Sequence, residues 1–589
     1  MGLNSEQQRA VLCEDNLLVI APPGSGKTGT LVAKVKHIIK ANLSNKVIMV
    51  TFTDASATEA KHRVSQSLTP NEMKRVAIST FHSHALYQLR QTYKNLKILT
   101  AFESKEVLKK ALLDCDSKID LKDAEVVLQT AKSNPQFTGK ECDYIAAYEL
   151  RRKQYHAFDF QDFTREALNG MKSKDANAYI EPLEASHVLC DEFQDVDANQ
   201  LHWLLHFHSL GAKVTVVGDD DQSVYGFRNS LGYAAMEEFK NETAPVVINL
   251  QTNYRSHSEI IHSATSLIQK NATRMDKVIV CNKGEGGHVS FYKASSKEDE
   301  ADKIIEEIVN DCADNNFDVK SIPSGRWGLI ARNNRDLWLI AAMLSKEEIP
   351  FSKSNKKDDA PWEILTFCGL LVSIQTNDIL GLKQALSAYG IKDKILRHAH
   401  EILKDNFYTI MDGEFPEIES LELEDRNKIK EFVRVCSRWR ELTAEGQYSR
   451  VIGAVGEWFL SEVVRGADVK DDFLRFVQLL SGEKNKKNKS KNKVSGNLQV
   501  RVMNFFRKET KSKSNGVNLH TMHDSKGLEF DRVFVAQCNV GTIPSSKCTD
   551  VNEERRLFYV AMTRARKDLI MSSVSSKGDS SFLSEIVIN

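Results

Sequence analysis

The chain has 589 residues, of which 41% are hydrophobic, 27% charged and 8% aromatic, and its 80 Lys+Arg balance its 80 Asp+Glu to a formal net charge of zero. At ~100–200 residues per domain, this length predicts roughly three to five folded units. The charge balance excludes a globally basic nucleic-acid binder, although a local basic groove would suffice to bind one.

No apolar run nears the ~18 residues that cross a bilayer, and the start MGLNSEQQRAVL is not a secretory signal. A soluble cytoplasmic protein with no membrane partner is therefore expected. The ten cysteines are scattered without a CxxC pair, so reduced thiols are expected rather than a zinc site or a disulfide framework.

In chain order, Leu17–Ala21 is a short apolar run ending in a Gly-rich turn, and a helical pattern follows over Leu31–Lys40. A second strand is predicted at Val47–Phe52, and further buried strands at His187–Cys190, Lys213–Val217 and Val246–Leu250. Strands alternating with helices predict an α/β fold with parallel sheets, in which ligands bind outside the carboxyl ends of the strands. Residues 96–156 and 356–499 read as polar and helical and are expected to be insertions. A second α/β block starts near Gln251 and resumes after the second insertion, with strands at Trp327–Ala331 and Arg532–Ala536. The lysine-rich run Lys484–Lys493 has nothing apolar to bury and reads as a solvated loop that could also attract phosphates.

The segment Ala21-Pro22-Pro23-Gly24-Ser25-Gly26-Lys27-Thr28 follows the first strand and opens a helix, the setting a P-loop requires. Small residues let backbone N–H groups turn inward around phosphates; Lys27 brings a cation to the β/γ-phosphates, and the Thr28 hydroxyl can bind Mg²⁺. The strict pattern begins with Gly, where this chain has Ala21. The strand Val188–Cys190 ends in Asp191 and Glu192. One carboxylate can hold Mg²⁺ and its neighbour can deprotonate an attacking water. Phosphoryl transfer also needs cations at the γ-phosphate, for which Arg255 and Arg564 are the candidates.

Together these segments resemble the UvrD/Rep/PcrA-type helicases of superfamily 1. The similarity runs in order through Leu3–Val11, the P-loop, Val50–Thr53, Ser79–Ser83, Asp191–Asp195, Val217–Arg228, Asn253–Ser256, Thr521–Phe530 and Glu553–Ala565. It implies two RecA-like parallel-sheet motor domains, 1–95 with 157–250 and 251–355 with 500–589. It also implies mainly helical accessory insertions at 96–156 and 356–499.

The resemblance implies that Gln7 hydrogen-bonds the adenine of ATP, Tyr254 stacks on it and Glu529 contacts the ribose. Gln222 would sense the γ-phosphate, and Arg255 and Arg564 would act as arginine fingers. Phe52, His82, Tyr225, Phe227 and His523 would contact a single DNA strand, on which base stacking contributes ~1–3 kcal/mol per base without reading sequence. Departures from the family pattern are Gly29 for an arginine, Phe227 for a tryptophan, Asn229 for a glycine, and Tyr389-Gly-Ile-Lys392 for a Gly-Ile-Gly turn.

The implied activity is an ATP-dependent translocase on single-stranded DNA, travelling 3′ to 5′ and opening single-strand/duplex junctions. Switching a two-state cleft from mostly open to mostly closed takes ~5.5 kcal/mol, against ~1.4 kcal/mol per base-pair step. The alternative is an ATP-gated DNA sensor that works with a separate nuclease partner, as in antiviral defence, without robust unwinding.

Overall fold

The computed structural model describes residues 2–588 apart from 135, 177, 354–359, 417–421, 483–495 and 507–514. The lysine-rich run Lys484–Lys493 thus lies outside the described residues. Chain contacts divide the molecule into two compact units. The first comprises Met1–Val289, Ile543–Asp568 and Ser581–Asn589; the second comprises Ser290–Thr542 and Leu569–Ser580. No helix among the described residues is long and apolar enough to cross a membrane.

The first unit is built on six strands: β1 (Leu17–Ile20), β2 (Val47–Thr51), β3 (Val76–Thr80), β4 (His187–Cys190), β5 (Lys213–Gly218) and β6 (Val246–Asn249). They lie in the order β3-β2-β4-β5-β1-β6, with every pairing parallel. The aliphatic runs LLVI and VIMVT are buried throughout, as expected for strands covered on both faces. Successive residues face opposite sides. Leu17 and Val19 pack with Leu31 and Val35 on one face, while Leu18 and Ile20 pack with Phe81 and Trp203 on the other. All strands predicted for this half are present, within a residue or two at their ends.

Residues 96–156 carry the helices Ala101–Asp114, Leu121–Ser133 and Asp143–Gln154, with a small core of their own around Leu108, Leu128 and Tyr148. Buried charges seat this insertion. The Lys132 ammonium lies 2.7 Å from Asp159 and 2.9 Å from Asp162, and Arg152 and Arg165 pair with Asp162 and Glu166 on the same helix. Burial pushes the Asp162 carboxyl up, but Lys132, Arg152 and Arg165 together hold it well below the usual carboxylate range.

The second unit contains a sheet in the order β7-β12-β11-β8-β10-β9. Its strands are β7 (His288–Ala294), β8 (Trp327–Ala331), β9 (Phe351–Lys353), β10 (Val517–Thr521), β11 (Phe530–Val535) and β12 (Ala565–Val574). The pairings of β8 with β10 and β11, and of β9 with β10, are parallel. Among the described residues, seven α-helices between Trp362 and Phe506 form an aromatic-rich core, with Phe367, Phe459, Phe473 and Phe476 packed edge to face or stacked. The α/β class with parallel-sheet cores read from the sequence is therefore present.

His84, on the helix Phe81–Thr92, lies under Trp203 with its Nε2 3.4 Å from the Met49 carbonyl. Burial lowers its pKa from 6.5 to about 4. An unfolded histidine protonates near 6.5, so between those values the unfolded chain holds more protons and stability falls as pH drops. In His84→Gln, the apparent thermal midpoint should therefore decline less steeply between pH 6.5 and 4 than in the unmodified chain, as followed by circular dichroism. An unchanged slope would refute a buried neutral imidazole.

Candidate nucleotide and nucleic-acid site

The P-loop leaves the carboxyl end of β1, where Ala21 N–H donates to the Gly218 carbonyl at the end of β5. Gly24 and Gly26 have φ of +72° and +82°, the left-handed region that glycine enters without strain. Helix Lys27–Ala41 then begins with Gly26 at its cap and no side chain closing its first-turn amides. Open amides at a helix start carry the partial positive charge that favours an anion.

Lys27 and Thr28 face the acidic pair at the end of β4. The Thr28 hydroxyl donates to Asp191 Oδ2 at 3.0 Å, and the Lys27 ammonium lies 3.5 Å from Glu192 Oε2. That ammonium is buried and makes no hydrogen bond among the described residues. Burial, then the adjacent Glu192 charge, pushes the Asp191 carboxyl up to about 6. Glu192 itself takes a left-handed backbone conformation, φ 52°, which is strained for a residue with a side chain. This is a pocket with an unsatisfied buried cation beside a surplus of buried carboxylate. A polyphosphate answers the first and a divalent cation the second.

Of the two arginine candidates, Arg255 comes to this loop from a distant part of the chain, and Arg564 comes to Gln222. Tyr254 N–H donates to the Gly24 carbonyl at 2.9 Å, and Asn253 Nδ2 donates to the Pro23 carbonyl at 2.6 Å. These bonds hold Arg255 against Gly24 so closely that a Cβ on that glycine would lie 2.6 Å from Arg255 Cβ. The Arg255 guanidinium donates to the Thr563 carbonyl. Arg564 is 1% exposed; its Nη2 donates to Gln222 Oε1 at 3.3 Å.

On the other side of the loop, Gln7 Nε2 donates to the Ser25 carbonyl at 3.0 Å. The Tyr254 hydroxyl accepts from Asn4 at 2.9 Å. Gln7, Ala21 to Thr28, Asp191, Glu192, Gln222, Tyr254, Arg255 and Arg564 thus fall in one compact unit. His523 and Glu529 belong to the second unit, in the turn after β10 and just before β11.

Several residues of this site carried no assigned role in the sequence reading. Gln194 joins two motifs, donating to Glu192 Oε2 at 2.6 Å and accepting from Asp219 N–H at 3.0 Å. Asp219 Oδ2 in turn accepts from Gln222 Nε2 at 2.7 Å. Asp219, Asp220 and Asp221 crowd closely enough to hold a metal ion, but the Lys277 ammonium sits 2.5, 2.5 and 2.9 Å from the three carboxylates, and Arg274 pairs with Asp221. The chain's own cations fill that site. Gln194 and Asp219 lie inside recognisable motifs, whereas nothing in spacing or periodicity singles out Arg274 and Lys277.

The aromatic candidates lie beside this network. Phe52 and Tyr225 stack at 5.2 Å and 17°, and Phe227, 65% exposed, meets Tyr225 edge to face at 5.9 Å. The Arg228 guanidinium lies over both Tyr225 and Phe227. His82 packs against Phe160, an exposed ring at a helix start that the sequence reading missed. Phe52, His82, Phe160 and Phe227 share a cavity of about 540 Å³ with helices of the 96–156 insertion.

Comparison with known proteins agrees with this geometry. The UvrD/REP helicase N-terminal domain matches residues 3–244, and the UvrD-like helicase C-terminal domain matches 248–358 and 410–576. The chain belongs to the UvrD/Rep helicase family. Among its relatives in that family, an ATP-dependent DNA helicase Rep of Buchnera aphidicola (Schizaphis graminum) is 26% identical over 97% of this chain and 93% of its own length. A probable DNA helicase II homologue of Rickettsia conorii is 27% identical over 98% and 93%. The ATP-dependent DNA helicase Rep of Escherichia coli K12 is 26% identical over 97% and 90%. The family match spans both the P-loop half and the half that carries Arg255, Arg564, His523 and Glu529.

Gly24 tests the close approach within this family site. Gly24→Ala forces a Cβ into a left-handed backbone and onto Arg255, costing about 1–3 kcal/mol and lowering the calorimetric transition. Gly29→Ala, on the helix that follows and with open space around it, should leave the transition unchanged or raise it slightly. Equal effects at the two positions would contradict the close approach.

Proposed function

We propose that the chain is an ATP-driven motor that moves along single-stranded DNA from 3′ to 5′ and separates duplex at the junction ahead. Its carrying observation is the packing of Arg255 against Gly24 of the P-loop beside Lys27 and Glu192, with Arg564 bonded to Gln222. Cations arranged in this way stabilise the charge that develops on a transferring phosphoryl group. Gln7, Asn4 and Tyr254 suit the base end of ATP, with Glu529 proposed for the ribose.

In this reading Lys27 binds the β/γ-phosphates and Glu192 accepts the proton of the attacking water, held in place by Gln194. Thr28 and Asp191 would hold Mg²⁺, which supplies charge neutralisation at the phosphates. Gln222 reports the γ-phosphate to the neighbouring Tyr225 and Phe227, which with Phe52, His82 and His523 carry the strand. The reading includes two RecA-like motor domains, 1–95 with 157–250 and 251–355 with 500–589, interrupted by accessory insertions.

Strand displacement on partial duplexes tests direction. Substrates with a 3′ overhang should be opened and those with a 5′ overhang left intact; the reverse preference overturns the polarity. Lys27→Ala should abolish ATP hydrolysis and displacement together. Arg564→Ala should bind ATP yet hydrolyse it about 10³-fold more slowly. Hydrolysis retained in Lys27→Ala would contradict the phosphate assignment. Single-strand-stimulated hydrolysis without any displacement would leave translocation and remove unwinding.

A further inference from the structure

The helix Val551–Met562 reaches the loop between Gln222 and Phe227 at three points. Just past its carboxyl end, Arg564 donates to the Gln222 side chain. In its middle, Arg556 Nε donates to the Ser223 carbonyl at 2.7 Å. In its first turn, the Glu553 carboxylate accepts the Gly226 N–H at 2.8 Å. Gly226 is the residue between Tyr225 and Phe227, so this last bond holds the backbone that presents both rings. The contact is close: a Cβ on Gly226 would lie 2.6 Å from Glu553 Oε2.

The start of the same loop is anchored elsewhere. Asp219, Asp220 and Asp221 are fixed by Lys277 and Arg274, and Asp220 also accepts the Met275 N–H. A loop fixed at its base and gripped along its length by one rigid helix moves its tip when the helix moves. A helix transmits displacement from end to end because its backbone bonds are all internal.

We propose that Glu553 and Arg556 are positioning residues that transmit the state of the Arg564 end of helix Val551–Met562 to the Tyr225–Phe227 platform, so that nucleotide occupancy sets the grip on the DNA strand. The inference rests on the motor reading above and adds the mechanical link. Neither residue faces the phosphates, so hydrolysis without DNA does not require them. A bond from an ionised carboxylate to a backbone N–H is among the stronger single hydrogen bonds, and a neutral amide oxygen in its place keeps the geometry at lower strength.

The test compares ATP hydrolysis with and without saturating oligothymidylate, together with oligothymidylate affinity with and without a non-hydrolysable ATP analogue. Glu553→Ala should keep the DNA-free rate near that of the unmodified chain, reduce DNA stimulation about tenfold and erase the nucleotide-dependent change in affinity. Glu553→Gln should restore most of both. Gly226→Ala, whose methyl takes the place of the carboxylate, should reproduce the Glu553→Ala phenotype.

The proposal is overturned if Glu553→Ala and Gly226→Ala keep full stimulation and full nucleotide-dependent affinity. It is equally overturned if DNA-free and DNA-stimulated rates fall by the same factor with a lowered melting transition, which is the mark of a purely structural role. Absence of DNA stimulation in the unmodified chain would instead remove the motor reading, and this link with it.

Discussion

The site depends on the stitching of segment Asn253–Ser256 to the P-loop backbone. Asn253 and Tyr254 donate to the Pro23 and Gly24 carbonyls, and the Asn253 Oδ1 accepts from the Arg255 and Ser256 amides. These bonds form only where Gly24 leaves room, because any side chain there would meet Arg255. The same contact brings Tyr254 toward Asn4 and Arg255 toward Thr563. The proposed base pocket and the proposed finger are thus positioned by one glycine-dependent approach.

A second constraint is the treatment of buried charge. Asp219, Asp220 and Asp221 are nearly inaccessible, and three unpaired carboxylates there would carry a large desolvation cost. Lys277 and Arg274 offset most of that charge; burial alone would lower the Lys277 pKa, but its three carboxylate partners outweigh desolvation and raise it, so its ammonium stays charged. Beside it, hydrogen bonds join Glu192, Gln194, Asp219, Gln222 and Arg564 in one polar chain. The contrast with Lys27 is informative. Its buried ammonium makes no hydrogen bond among the described residues and lies 3.5 Å from Glu192. Lys277, by comparison, has three carboxylates within 2.9 Å.

The helical insertion at 96–156 also buries paired charges at its seat, where Lys132, Arg152 and Arg165 meet Glu149, Asp159, Asp162 and Glu166. Breaking one member of such a cluster strands another buried charge, so it defines orientation more than it adds stability. Its position beside Phe52, His82, Phe160 and Phe227 makes the cavity wall partly motor sheet and partly insertion.

The sequence by itself determined the parallel α/β class, the strands, the P-loop, the acidic pair after β4 and the family. Each is written locally: a buried parallel strand must be continuously apolar, and a phosphate loop must be small and glycine-rich before a helix. Only the tertiary structure decided that Arg255 approaches the P-loop, that Arg564 bonds to Gln222, that Gln194 connects Glu192 to Asp219, and that Lys277 and Arg274 fill the aspartate cluster. Those partners lie tens to hundreds of residues apart. Local pattern reports the conformation each residue prefers, whereas pairing across such distances is settled by sheet order and by the need to satisfy every buried charge.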